Sequence, residues 1–188
     1  MDIAAHLAQT LRQLRKQRGW SLDRASEATG VSKAMLGQIE RGESSPTVAT
    51  LWKIATGFST AFSGLITPPP HASDLPRFAR NSQTDVELPA DRLQVRPLFP
   101  FDASFGFELM ALTLPPETEH VSEPHETGVI EHVTVVDGPM EVLIDGRWRA
   151  LATDEAVRFA ADAPHGYRNR GNQAATFHNL IHYPAGTR

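Results

Sequence analysis

Ile3, Leu7, Leu11 and Leu14 recur at steps of four, four and three residues, which lines them along one stripe of an α-helix. Gly19 ends that run. Ser21 is placed to cap a second helix with Leu22, Ala25 and Ala28 inward, and Gly30 sits where a left-handed residue closes a helix. Ser32 opens a third helix two residues later. Two short helices joined by so tight a glycine turn form a helix-turn-helix unit. At about 100° per residue, Met35, Leu36 and Ile39 gather on one side of the third helix, with Lys33, Ala34, Gly37, Gln38 and Arg41 on the other. Ser45-Pro46 predicts a fourth helix opening at Pro46, where a missing N–H costs nothing. Val48, Leu51, Trp52 and Ala55 form its buried face, and a fifth helix through Phe62 and Leu65 completes a bundle.

From Leu88 onward the helical spacing gives way to short β-rich runs: Phe105 to Leu114, Val129 to Val136, Met140 to Ile144, Ala156 to Phe159 and Ala175 to Tyr183. Pro115-Pro116, Asp137-Gly138, Asp145-Gly146 and Arg170-Gly171-Asn172 supply the turns between them. Many short strands at this spacing predict a sandwich or barrel of about a hundred residues. In the run from Val129, the two-residue period puts Glu131, Val133 and Val135 on one face and Ile130, His132 and Thr134 on the other.

Charge sharpens the division. Residues 1–70 carry eight Lys/Arg against five Asp/Glu, net +3, and residues 71–188 carry ten against seventeen, net −7. All three lysines (Lys16, Lys33, Lys53) lie in the first part, whereas only Pro46 precedes Pro68. A basic helical domain suits a polyanion, and an acidic, proline-punctuated one suits a sheet protein. The chain has no cysteine, which excludes disulfides and thiolate zinc sites. The longest uncharged stretch, Ile54 to Ser73, contains three consecutive prolines and cannot span a membrane. The N-terminus lacks the hydrophobic core of a signal peptide, so the expected location is the cytoplasm.

The outer face of the third helix has the chemistry of major-groove recognition. Gln38 can pair bidentately with an adenine edge, Lys33 can reach guanine or phosphate, and Ala34 and Gly37 let the backbone approach closely. The segment GWSLDRASEATGVSKAMLGQIERGESSPTVATLWKIATG, residues 19–57, resembles the Xre family of helix-turn-helix domains along almost its full length. The resemblance implies that Ser32, Lys33, Ala34 and Gln38 face the groove and that Ser21, Arg41, Ser44 and Ser45 face phosphate.

A second constellation lies in the β-rich part. Glu131 follows His125 by six positions and Gly138 comes after six further residues, and His165-Gly166-Tyr167-Arg168-Asn169 follows later. These stretches resemble the two motifs of the cupin superfamily, a jelly-roll barrel whose His-x-His, Glu and later His converge on a divalent metal. Carried over, His125, Glu131 and His165 take ligand positions, Gly138 the turn and Asn169 the end of the second motif. Thr127 stands where the second His would be, and Ala160-Ala161-Asp162 replaces the usual Pro-x-Gly. Two imidazoles and a carboxylate still suffice for zinc, iron or manganese with open positions, zinc being the expected metal. The alternative is a metal-free cupin with a polar pocket. His178 and His182 share a face with Leu180 that would suit an inner wall, so Thr127, Tyr167, His178 and His182 make up the expected effector pocket.

Together the resemblances imply a two-domain protein. An all-α helix-turn-helix bundle of about five helices spans 1–67, a proline-rich linker 68–88, and an all-β cupin jelly-roll barrel 89–188. The expected function is a transcriptional regulator, not an enzyme. It would bind a pseudo-palindromic operator as a homodimer while its barrel senses a small-molecule effector, with no membrane involved. The rival reading is a metal-dependent cupin enzyme, a dioxygenase or isomerase, fused to a DNA-binding domain. The incomplete metal set and the absence of lysine beyond Lys53 weigh against that rival. A third reading is a cupin used only for dimerisation.

Overall fold

A computed structural model of the 188-residue chain describes residues 3–67 and 93–184. The expected linker, 68–88, lies outside the described residues. Five helices occupy the first stretch: α1 (Ile3–Gln17), α2 (Leu22–Thr29), α3 (Lys33–Glu40), α4 (Val48–Gly57) and α5 (Phe62–Ile66). Ser21 caps α2 by accepting from the Arg24 N–H, Gly30 closes it in the left-handed conformation at φ 67°, and Ser32 caps α3 by accepting from the Met35 N–H. The fourth helix starts later than its proline suggested. Thr47 is the cap, accepting from the Thr50 N–H at 3.0 Å. A threonine hydroxyl at that position satisfies a first-turn donor, so Pro46 precedes the helix and is buried.

Three contacts fix the bundle's geometry. Arg15 of α1 grips Glu40 at the end of α3 with two hydrogen bonds, Nε–Oε1 2.6 Å and Nη2–Oε2 2.7 Å, and donates a third to the Trp20 carbonyl. Leu36 and Ile39 are buried against the same core as Leu7 and Leu11. At Gly57 a Cβ would lie 2.6 Å from the Ala28 carbonyl oxygen and 2.7 Å from Thr29 Cα. Only glycine lets α4 cross the end of α2 so closely.

The second stretch forms two antiparallel sheets. Its strands are β1 (Gln94–Asp102), β2 (Phe107–Leu114), β3 (Thr118–Ser122), β4 (Ile130–Asp137), β5 (Met140–Ile144), β6 (Arg147–Leu151), β7 (Ala156–Ala160), β8 (His165–Asn169) and β9 (Ala175–His182). They are ordered β1-β2-β9-β4-β7 and β3-β8-β5-β6. The helix-plus-sheet architecture is the expected one, but β1, β3, β6 and β8 were not among the expected runs. β1 is an edge strand interrupted by Pro97, with register shifts on either side of Phe99, and β6 is an edge carrying Arg147 and Arg149. Edge strands tolerate proline and charge, so they lack the β-rich composition. At Gly138, φ is +73° and a Cβ would meet the Ala174 carbonyl at 2.7 Å, so this turn requires glycine.

The apolar core runs unbroken from the helices into the sheets. Two sets of contacts join them. On one side the α5 backbone N–H of Ser63 donates to Glu108 Oε2 of β2 at 2.8 Å, and Ser63 Oγ accepts from the Phe101 N–H of β1 at 2.8 Å. Glu108 and Ser63 are fully buried, and the Tyr183 hydroxyl donates to the other Glu108 oxygen. On the other side Trp52 of α4 stacks on Phe62 and packs at a tilt against His125, with ring centroids 4.5 Å apart in each case.

Candidate nucleic-acid interface and metal centre

The two turns of α3 divide as the periodicity requires. Leu36 and Ile39 are buried and Met35 is half-buried, while Ser32, Lys33, Ala34, Gln38 and Arg41 are exposed. Ser21 and Ser45 are exposed as well; Ser44 is half-buried, with its hydroxyl 3.6 Å from Met35 Sδ. Lys33 Nζ lies 2.9 Å from Asp23 Oδ2 and Arg41 Nη2 lies 2.7 Å from Glu43 Oε2, both pairs on the surface. Exposed pairs of this kind hold little energy, so both cations can exchange their carboxylates for phosphate. Gly37 departs from expectation. It is buried, and a Cβ there would meet Arg41 Nη1 at 3.2 Å and Leu22 Cδ1 at 3.8 Å. Its missing side chain makes room for Arg41 and Leu22, so it does not form part of an open reading face.

Inside the barrel, Glu131 of β4 and His165 of β8 come from opposite sheets, and His125 comes from the loop after β3. Their ligand atoms all lie within 4.8 Å of one another and all three residues are buried. Among the described residues no other group of three His or carboxylate side chains converges in this way. The His125 backbone N–H donates to the Ala161 carbonyl at 2.9 Å, tying the loop to the end of β7. His125 Nε2 is 3.0 Å from Glu131 Oε1. His165 Nδ1 donates to the Ala163 carbonyl at 2.9 Å, which turns Nε2 toward Glu131 Oε1 at 3.4 Å.

Glu131 Oε2 accepts from Asn179 Nδ2 at 3.0 Å and from the Tyr167 hydroxyl. Burial opposes ionisation of Glu131, yet the charge of His165 and the hydrogen bonds from both histidines outweigh it and hold the carboxyl well below its usual range. Burial pulls His165 down, but Glu131 more than compensates and leaves it raised. Burial, reinforced by the Glu131 carboxylate, pushes Tyr167 well above the usual phenol range; it therefore stays a neutral donor to Glu131.

This donor set fits a divalent cation. His165 Nε2 is buried and, apart from its long 3.4 Å approach to Glu131 Oε1, meets no well-aligned hydrogen-bond partner, and a buried nitrogen so poorly paired is costly unless something ligates it. Its other nitrogen is fixed by a backbone carbonyl, the arrangement that orients metal-binding imidazoles. Glu131 is ionised and in turn hydrogen-bonded by Tyr167 and Asn179.

Not every expected pocket residue joins this cluster. His178 and His182 stand on the outer face of β9, His178 half-buried and His182 exposed, while Ala175, Phe177, Asn179 and Ile181 point inward. The expectation of an inner wall is corrected: the more apolar parity of the strand packs inside, and burial together with Arg96 pulls His178 below the usual imidazole value. Thr127 is exposed on the loop, outside the buried cluster. Tyr167 is inside, as a hydrogen-bond donor to Glu131. Asn179, Glu108 and Trp52 were missed. For Asn179 the signal was available in the alternation of Phe177 and Ile181; the other two depend on domain packing. Asn169 holds the chain together locally, donating to the Leu114, Pro115 and Gln173 carbonyls and accepting from the Gly171 N–H.

Residues 11–65 match the helix-turn-helix family model and residues 110–182 the cupin domain model. The HTH-type transcriptional regulator SutR of Escherichia coli strain K12 is 52% identical over 183 residues, covering 97% of this chain and 98% of SutR. The chain belongs to the helix-turn-helix transcriptional regulators with a C-terminal cupin domain. The crystal structure of a helix-turn-helix-family transcriptional regulator from Vibrio cholerae superposes on this regulator with a TM-score of 0.81, at 42% identity and 97% coverage of both chains. The HTH-type transcriptional regulator PuuR of E. coli is 23% identical over 159 residues, 85% of each chain. These relatives are transcriptional regulators, and so is this protein. Among the described residues, no helix is long and apolar enough to cross a membrane.

Proposed function

We propose that the protein is a ligand-responsive transcription factor of the cytoplasm that binds a pseudo-palindromic operator as a homodimer. Its barrel holds a divalent metal, zinc, on His125, Glu131 and His165. The observation that carries this reading is the buried His–Glu–His cluster with its poorly paired His165 Nε2, enclosed in the domain that does not carry α3. Three protein ligands leave a four-coordinate metal one position for water or a polar group of the effector, and Asn179 Oδ1, buried without a partner, offers an acceptor on the same inner face. Thr127 and Tyr167 belong to the approach and the wall of that site.

On the DNA side, Lys33 and Gln38 read base edges with Ser32 and Ala34 beside them, and Ser21, Arg41, Ser44 and Ser45 contact phosphate. The net charge of +3 over residues 1–70 is modest for a sequence-specific binder, so two copies are needed, with half-sites about one helical turn apart. Binding selection on the full chain tests this. Gln38→Ala should relax preference at one base position and cost about 1–3 kcal/mol at the preferred site, whereas Arg41→Ala should weaken all sequences alike and flatten the salt slope. An unchanged base preference in Gln38→Ala refutes the reading face.

A further inference from the structure

His125 differs from the other two members of the cluster. Glu131 and His165 stand on strands, but His125 stands on a loop, and one face of its imidazole is closed by a residue of the other domain. Trp52 of α4 lies 4.5 Å from it, centroid to centroid, at 33°. The indole is almost completely buried, and it stacks on Phe62 of α5 at 4.5 Å and 28°. The order in space is therefore Phe62, Trp52, His125, then Glu131 and His165: two aromatic side chains of the helical domain against a ligand position of the barrel.

We propose that Trp52 is a positioning residue for His125, and that through it occupation of the barrel site is linked to the seating of α4. The proposal rests on the metal reading above. His125 Nε2 lies 3.0 Å from Glu131 Oε1, and a metal held by both groups would take the place of that bond. The ring would then be restrained by the metal, and Trp52 lies against that ring. α4 passes the difference on because it has no slack: Gly57 packs directly on the Ala28 carbonyl and Thr29 Cα at the end of α2, and α2 leads through Gly30 into α3. The remainder of the domain interface cannot slide to absorb the change. Ser63, Glu108 and Phe101 are joined there by hydrogen bonds whose loss would leave Glu108 Oε2 and the Ser63 N–H and hydroxyl buried without those partners. Linkage is reciprocal: whatever ties His125 to α4 also makes metal affinity depend on how α4 is seated.

The test uses the full-length protein with Zn²⁺ as probe, comparing the wild type with Trp52→Leu, which keeps apolar bulk, and Trp52→Phe, which keeps a ring. Zinc affinity by chelator competition should fall about tenfold or more in Trp52→Leu, the scale found for groups that orient metal ligands, and stay within about threefold in Trp52→Phe. Hydrogen exchange of the α4 amides should slow on adding Zn²⁺ to the wild type and respond much less in Trp52→Leu. The two variants keep the test independent of any general loss of packing, since Trp52→Phe must restore both readouts. If zinc binds the wild type but Trp52→Leu keeps full affinity, or if α4 exchange ignores zinc in the wild type, the coupling is refuted and the metal site stands. If the wild type binds no zinc, the metal reading falls and takes the coupling with it.

Discussion

Removing Glu40 tests how α3 is held. Glu40 is the last residue of α3, and its carboxylate meets the Arg15 guanidinium through two short, parallel hydrogen bonds of 2.6 and 2.7 Å. The side chains are 9% and 17% exposed, so the pair lies much nearer to a buried ion pair than to a surface one. Breaking a buried pair costs about 3–5 kcal/mol; with residual solvation, Glu40→Ala should cost about 3 kcal/mol. Glu40→Gln keeps shape and one acceptor but loses the charge, and should cost about 1–2 kcal/mol. A chain of this size loses about 2–4 °C of melting temperature per kcal/mol, which predicts a drop of about 6–12 °C for the alanine variant. Arg15→Ala combined with Glu40→Ala should be less destabilising than the sum of the singles, because the double variant leaves no orphaned charge. The assay is thermal unfolding of the four proteins by circular dichroism. A Glu40→Ala protein melting within about 2 °C of the wild type refutes the argument that this pair anchors α3 to α1.

Stoichiometric metal should be found after metal-replete purification and be lost, with a fall in melting temperature, in His125→Ala and His165→Ala; metal retained in both variants rules the site out. Acidity should act on the site with two signs. Glu131, held low, stabilises the fold above the ordinary carboxylate range and loses that contribution as pH falls through its lowered value. His165, held high, stabilises the metal-free fold below the ordinary imidazole value and loses it as pH rises through its raised value. Zinc needs His165 neutral, so the zinc-induced rise in melting temperature should be larger at about pH 8 than at about pH 6, and an equal rise at both contradicts the ligand assignment. Residues 1–66 alone would expose Trp52, Phe62 and Ser63, which the barrel covers; the fragment should melt lower and bind the operator much more weakly than the full chain at matched salt, and equal affinity would dispose of a barrel-mediated dimer.

The sequence by itself determined whatever is decided within a few residues. Ser21, Ser32 and Gly30 mark the helix ends because capping and left-handed closure are local events, and the 3.6-residue period separates Lys33 and Gln38 from Leu36 and Ile39 without help from the rest of the chain. The alternation that groups Glu131 with Val133 and Val135 on one face is equally local, and the resemblance of the stretches around His125, Glu131 and His165 to the cupin motifs marked the site ahead of any strand pairing. Tertiary structure decided the remainder. β9 carries apolar residues on both parities, and only its place between β2 and β4 sets Asn179 inside and His178 and His182 outside. Gly37 looked open until Arg41 and Leu22 covered it, and Glu40 was one letter of a matched run until Arg15 came within reach. Trp52 belonged to the buried face of α4 from its period alone, but that face is closed by His125, seventy-three positions along the chain. Periodicity tells which side of an element is buried; what buries it is fixed by contacts between residues far apart in sequence, and at Trp52 and Ser63 those contacts cross from one domain to the other.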